Sequence, residues 1–156
     1  MRLIVMSDSH GRDEMVEAVL KQEPEADYYL HCGDLCSDPR RFPQLILVQG
    51  NMDYFPEEIP LERVIHAGKT TILMVHGHRF PGYDRLNQLA REARKQGCDL
   101  VVWGHTHRPE ITAVDGITLA NPGSLYYNRD RSRPGYLVVT AGPDGFTVER
   151  KTVEEK

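Results

Sequence analysis

Five apolar runs in this chain each stop at a glycine-flanked Asp, Asn or His, and that repeated ending constrains the fold more than any other feature. Leu3 to Met6 is followed by Asp8 and His10, Tyr28 to Leu30 by Asp34, and Leu45 to Val48 by Asn51 and Asp53. Thr71 to Val75 is followed by His76 and His78, and Val101 to Trp103 by His105 and His107. Short apolar runs bounded by turn residues read as buried strands. Glycines at 11, 33, 50, 77 and 104 allow the backbone to turn sharply where the runs end. In α/β sheets, ligands gather outside the carboxyl ends of the strands. If these strands share one sheet edge, or the edges of two packed sheets, their polar endings converge.

The rest of the chain fits a layered α/β architecture. Residues 12–22 place Met15, Val16, Val19 and Leu20 on one helical face, and Pro24 stops that helix. Residues 84–96 repeat the pattern with Leu86, Leu89, Ala90 and Ala93, and Gly97 ends it. A short helix is expected within 38–42. Strands are expected over 2–7, 27–31, 45–49, 61–66, 70–75 and 100–103. In the last third, 110–114, 117–120, 136–140 and 146–150 read as strands with only turns between them, a meander. Alternation followed by a meander predicts mixed sheets, not a purely parallel one. With no internal repeat or linker, 1–156 is read as a single domain.

Charge and composition narrow the function. Nineteen Lys and Arg against 23 Asp and Glu leave a net charge of −4, which argues against a broad nucleic-acid-binding face. It does not exclude a local cationic site for a small anion. The apolar run at 3–6 is too short for a signal-peptide core, and nothing approaches the length of a membrane span. A cytoplasmic protein with no membrane partner is expected. Cys32, Cys36 and Cys98 are too few and too unevenly placed for a disulfide framework. Cys32 and Cys36 lack a second cysteine pair to complete a zinc site, so they read as small buried thiols.

Singly, each polar strand ending is weak evidence, because a lone His there is usually a hydrogen-bonded loop residue. Jointly they offer seven oxygen and nitrogen donors: Asp8, His10, Asp34, Asn51, His76, His105 and His107. Residues i and i+2 on extended backbone lie roughly 6.6 Å apart at Cα. That spacing suits a pair reaching toward one metal, or divided between two metals about 3.5–4 Å apart. Seven donors are too many for one tetrahedral ion. Two ions sharing a carboxylate use them fully, and Asp34, after the tight Gly33, is the natural shared ligand.

The motifs Asp8-Ser9-His10, Gly33-Asp34, Gly50-Asn51-Met52-Asp53, His76-Gly77-His78 and Gly104-His105-Thr106-His107 resemble those of the calcineurin-like metallophosphoesterases. Asn121 to Ser124, reading NPGS, extends the likeness. The short chain is most similar to the small bacterial and archaeal phosphodiesterase branch, the YfcE or MJ0936-type family, which also resembles the Vps29 subunit of retromer. The resemblance implies a four-layer αββα sandwich with two mixed β-sheets. It implies one metal on Asp8, His10, Asp34 and His107, and another on Asp34, Asn51, His76 and His105. It favours manganese, with iron, zinc, cobalt or nickel also compatible with such donors. The implied reaction is hydrolysis of a small phosphate ester, most readily a diester, by in-line attack of a metal-bridging hydroxide. Phosphomonoester hydrolysis on the same metals, or a non-catalytic protein-binding scaffold of the Vps29 kind, are the other readings. Relatives often self-associate, so a homo-oligomer is left open.

One position departs from the family pattern. Larger relatives carry a His after the Asn, and that His is taken to protonate the leaving group or bind phosphate; here the residue is Met52, which cannot transfer a proton. His78 is the nearest substitute, as acid or as phosphate ligand. Asn51, His78 and Arg129 are the candidate substrate-binding residues, with Arg131 and Arg133 in the same loop as Arg129. Asp53 is read as supporting the Asn51 loop, His31 as packing, His66 as a surface residue, and Pro122 and Gly123 as turn formers.

Overall fold

Strand β1 (Arg2–Met6) buries every side chain from Leu3 to Met6. A strand buried on both faces must be central and covered twice, and in this computed structural model, which describes residues 1–54 and 58–154, β1 is the middle strand of its sheet. On one side lie β2 (Tyr28–His31) and β3 (Leu45–Leu47), both paired in parallel. On the other lie β9 (Gly135–Gly142) and β10 (Gly145–Thr152), antiparallel. The second sheet runs β4 (Glu62–Ala67), β5 (Thr70–Val75), β6 (Leu100–Val102), β8 (Ile117–Asn121), β7 (Glu110–Val114). Only β5–β6 and β6–β8 are parallel there, so both sheets are mixed as expected.

Alternation along the strands decides the layers. Leu3 and Val5 point between the sheets and pack with Ile72, Met74, Leu100 and Val102. Ile4 and Met6 point the other way, onto Met15, Val16 and Val19 of helix α1 (Asp13–Gln22). On the second sheet, Leu73, Val75 and Val101 face Leu89, Ala90 and Ala93 of helix α2 (Arg85–Lys95). Two-residue periodicity in the strands thus generates helix, sheet, sheet, helix. The end of α2 follows from Gly97, whose φ of +71° lets Gly97 N–H reach the Arg94 carbonyl at 3.2 Å and Cys98 N–H the Ala93 carbonyl at 2.8 Å. The short helix expected near 40 is a single 3-10 turn, Pro39–Arg41, begun by the Asp38 carboxylate accepting from Arg40 N–H at 3.0 Å.

The C-terminal meander is corrected. β7 and β8 form a hairpin in the second sheet, while β9 and β10 form a hairpin in the first. Residues 122–134 carry the chain from one sheet to the other. Local turn signals identify hairpins, but which sheet each joins depends on nonlocal pairing: β8 finds β6 and β9 finds β1.

Candidate metal centre

The loops that leave the strands are tied to each other before any side chain is considered. Asp8 N–H reaches the Gly33 carbonyl at 3.0 Å, His10 N–H the Asp34 carbonyl at 3.0 Å, and Gly104 N–H the His76 carbonyl at 2.9 Å. Asp8, His10, Asp34, His105 and His107 all adopt left-handed backbone, with φ of 54°, 45°, 56°, 70° and 56°. Such conformations are costly for residues bearing a Cβ and persist where surrounding bonds over-determine them. Close approach explains two glycines. A Cβ on Gly104 would fall on Ser7 Oγ and the Asp8 carboxylate, and one on Gly50 would fall on the carboxylate of Asp34.

The seven donors named from the sequence lie together. His107 Nε2 is 3.3 Å from Asp8 Oδ1 and 3.2 Å from His10 Nε2. His10 Nε2 is 3.6 Å from Asp34 Oδ2, and His76 Nε2 is 3.2 Å from that same oxygen. Asn51 Oδ1 lies 3.0 Å from His76 Nε2 and 3.1 Å from His105 Nδ1. Asp34 Oδ2 therefore stands between His10 and His76, and Asp8 Oδ1 faces His10, His76 and His107 at 3.3–3.8 Å. Asp8, His10 and His107 form one group with ligand atoms close enough for a metal; Asp8, Asp34 and His76 form another.

Hydrogen bonding behind the rings decides which way their lone pairs point. His76 Nδ1 is 2.8 Å from the Cys32 carbonyl, and His107 Nδ1 is 3.0 Å from the Tyr127 carbonyl. A carbonyl only accepts, so both Nδ1 atoms carry a proton, and in the neutral rings both Nε2 atoms present lone pairs to the cluster. Those lone pairs meet carboxylate and amide oxygens, which are also acceptors. Asp8 Oδ1 is buried and, among the described residues, has no hydrogen-bond donor. An array of converging acceptors of this kind is satisfied by a cation, and its hard and intermediate donors fit divalent metals.

In the metal-free site protons compete for the same lone pairs. Burial works against charge on Asp8, but His10, His107, His76 and Ser7 outweigh it and hold the carboxyl well below its usual range. Asp34 is likewise lowered, with burial outweighed by His76 and the Met52 N–H. His10 is raised, chiefly by the neighbouring Asp8 carboxylate. His76 is raised although burial opposes it, because Asp34, Asp8 and the Cys32 carbonyl prevail. His105 is lowered to about 4 by burial, His76 and Arg85.

Support for these residues comes from groups that the sequence singled out weakly or not at all. Asp53 is buried and accepts from Gly50 N–H and Asp34 N–H, both at 2.8 Å, and from Cys36 N–H at 2.9 Å. It holds the Asn51 loop, as expected, and the Asp34 loop as well. His31, read as packing, accepts Gly33 N–H at Nδ1 (3.2 Å) and pairs through Nε2 with Ser9 Oγ (3.0 Å), joining the first two loops. Ser124 Oγ donates to the Asp8 carbonyl at 2.7 Å, and Asn121 Nδ2 donates to the Gly104 carbonyl at 3.0 Å. Asn128, absent from the sequence reading, accepts Ser124 N–H at 2.7 Å.

Other candidates fall outside this cluster or differ from expectation. His78 lies beside it, its ring 5.4 Å from His76 and 6.3 Å from His105, centroid to centroid. Its Nδ1 is buried without a partner among the described residues, and burial followed by the charge on His76 lowers its pKa. Arg129 is exposed and joins the site through its backbone N–H, which donates to the His107 carbonyl at 2.9 Å. His66 is exposed on β4, as read. Cys36 is corrected. Cys32 is buried, but Cys36 is exposed, because its left-handed backbone (φ 54°) turns it out of the core. Beside Cys36 a groove of about 500 Å³ is lined in part by Pro39, Met52 and Tyr54.

Residues 1–143 match the calcineurin-like phosphoesterase superfamily domain. The chain belongs to this superfamily. It is 33% identical over 152 residues to the probable metallophosphoesterase YsnB of Bacillus subtilis, covering 95% of this chain and 89% of that protein. It superposes on a predicted phosphoesterase of Streptococcus pneumoniae with a TM-score of 0.86 and 30% identity, over 97% of this chain and 88% of that one. At lower identity the fold alone is shared. An archaeal phosphodiesterase gives a TM-score of 0.73 at 19% identity, covering 97% of this chain and 100% of that one. Vps29 of Entamoeba histolytica gives 0.76 at 22%, covering 97% and 98%. The metallophosphoesterase-like fold is thus shown, and the structure contains groups of residues that could hold a metal ion.

Proposed function

We propose that this chain is a phosphodiesterase that works with two divalent ions, manganese being the favoured activator. One observation carries the reading: imidazole lone pairs, with tautomers set by backbone carbonyls, converge on carboxylate and amide oxygens. Asp8, His10, Asp34 and His107 would hold one ion; Asp34, Asn51, His76 and His105 would hold the other. When bound, the ions supply Lewis-acid activation of water and neutralise charge on the transferring phosphoryl group.

The chain's own groups do the rest. Asp8 keeps Oδ1 for the centre because Ser7 Oγ–H (2.6 Å) and His105 N–H (3.0 Å) both donate to Oδ2. Asn51 is exposed and His105 partly so, which would let an ester approach from their side. His78 is nearby, its pKa lowered chiefly by burial, and is suited to bind a phosphate oxygen or to relay a proton. Met52 does neither, so alcohols that leave readily as anions are favoured. The groove beside Cys36, Met52 and Tyr54 is a place for one ester substituent. Arg129 is exposed on the loop that backs His107, and its charge would attract an anion. The preference for diesters over monoesters draws support from the archaeal phosphodiesterase that shares the fold.

The test is hydrolysis of bis-p-nitrophenyl phosphate with added Mn²⁺, compared between the native chain and Asp34→Ala. We expect metal-dependent turnover that falls at least about 100-fold in the variant, since a ligand between both groups is removed. Absent turnover in the native chain, or an unaffected variant, points to a protein-binding scaffold instead. Faster hydrolysis of p-nitrophenyl phosphate than of the diester reassigns the enzyme as a phosphomonoesterase.

A further inference from the structure

We infer that Cys36 is a positioning residue for His10 and governs how firmly that ring holds a divalent ion. The inference rests on the metal reading above and adds a residue that none of the motifs contains.

Three rings turn Nε2 toward the cluster, and each needs an acceptor for its Nδ1 proton. For His76 that acceptor is the Cys32 carbonyl, and for His107 it is the Tyr127 carbonyl, at 2.8 and 3.0 Å. For His10 it is Cys36 Sγ, at 3.8 Å. The same sulfur lies 3.6 Å from the Met52 carbonyl, to which it can only donate. The proton order follows. Cys36 Sγ–H donates to Met52 O, His10 Nδ1–H donates to Sγ, and the Nε2 lone pair is left facing Asp34 Oδ2 and Asp8 Oδ1. His10 is thereby set in the same tautomer as His76 and His107, by a side chain in place of a backbone carbonyl.

The thiol's placement is itself enforced. Cys36 holds left-handed backbone at φ 54°, a conformation unfavourable for a residue with a Cβ. Asp53 pins its N–H at 2.9 Å with the same carboxylate that pins Asp34 N–H. One clamp therefore presents both a ligand to the centre and the group behind another ligand. Cys36, Asp34 and Asp53 also lie close enough together to suggest a third metal group. The Asp53 carboxylate, however, is already engaged by three backbone N–H groups, so this trio is a folded turn and not a cage. A sulfur acceptor is weaker than a carbonyl and can rotate away. His10 is therefore the least firmly held of the three rings, and Cys36 is the group whose loss releases it.

The experiment is calorimetric titration of the full chain with Mn²⁺, for the native protein, Cys36→Ala and Cys36→Ser. It is joined by ¹⁵N imidazole spectra of the Zn²⁺-loaded proteins, which report the tautomer of His10. We expect Cys36→Ala to weaken affinity at one ion about tenfold, at the lower end of the effect of losing a partner behind a metal-binding His. Cys36→Ser keeps a donor and an acceptor, and should recover affinity to within about threefold. The spectra should show Nδ1 protonated in the native and Ser proteins and the His10 signals exchange-broadened in Ala. Equal affinities and unchanged His10 signals in Cys36→Ala overturn the role given to Cys36 while leaving the metal reading intact. A Ser variant as weak as Ala overturns the hydrogen-bond role. A native chain that takes up no Mn²⁺ overturns the metal reading and this inference with it.

Discussion

Under the proposed reaction, Met52 limits which esters are cleaved. Its N–H donates to Asp34 Oδ1 at 2.8 Å, so the backbone at this position serves the site, while the half-exposed thioether supplies no proton. The native enzyme should therefore show a steep dependence of rate on leaving-group pKa. Met52→His should raise turnover of alkyl diesters by about 100-fold, within the range of general acid catalysis, and change nitrophenyl esters little. The measurement is the slope of log rate against leaving-group pKa for both proteins; equal slopes would mean that another acid, His78 foremost, already acts. The motif residues were legible because Asp, Asn and His after an apolar run are chemically conspicuous. Cys36 was not. Its exposure follows from one left-handed residue held by Asp53, and nothing in its neighbours announces that conformation.

Among the elements, the helices were the easiest to read and lie on the outer faces. α2 covers the second sheet through Leu89, Ala90 and Ala93, all fully buried, and contributes none of the seven donors. Leu89→Ala should cost about 2–5 kcal/mol of stability from lost burial and the cavity left behind. Mn²⁺ affinity should stay within about twofold. Urea denaturation and metal titration separate the two, and a large loss of affinity would show that α2 holds the β5 and β6 loops in place, beyond covering the sheet. The β-hairpins were legible as hairpins, since their turns are local. Their division between two sheets was not, because the pairings β6–β8 and β1–β9 join segments distant in sequence. That division sends residues 122–134 past the site, where Ser124 and Asn121 brace the Asp8 and Gly104 backbones.

At the scale of the whole molecule, acid should loosen the metal-free protein through a residue outside the donor set. His31 is fully buried, and burial is the main cause that lowers its pKa to about 4. A lowered folded pKa means that the unfolded chain binds more protons, so the contribution of His31 is fully present above about pH 6.5 and is lost as pH falls toward 4. It amounts to something on the order of 3 kcal/mol. His10 and His76 are raised and oppose this, which is why the test is a comparison. In EDTA, His31→Gln should flatten the pH dependence of unfolding free energy between about pH 4 and 6.5 by up to one proton's slope. An unchanged slope would show that His31 is already charged in the fold. The sequence by itself determined the strands, the helices and which candidate donors stand at the strand ends, because hydrophobic period and residue chemistry are local properties. Only the tertiary structure decided that the donors meet, which carboxylate oxygens are left free and what stands behind each imidazole. Those depend on two sheets stacking so that loops distant along the chain share hydrogen bonds, and no local pattern specifies that.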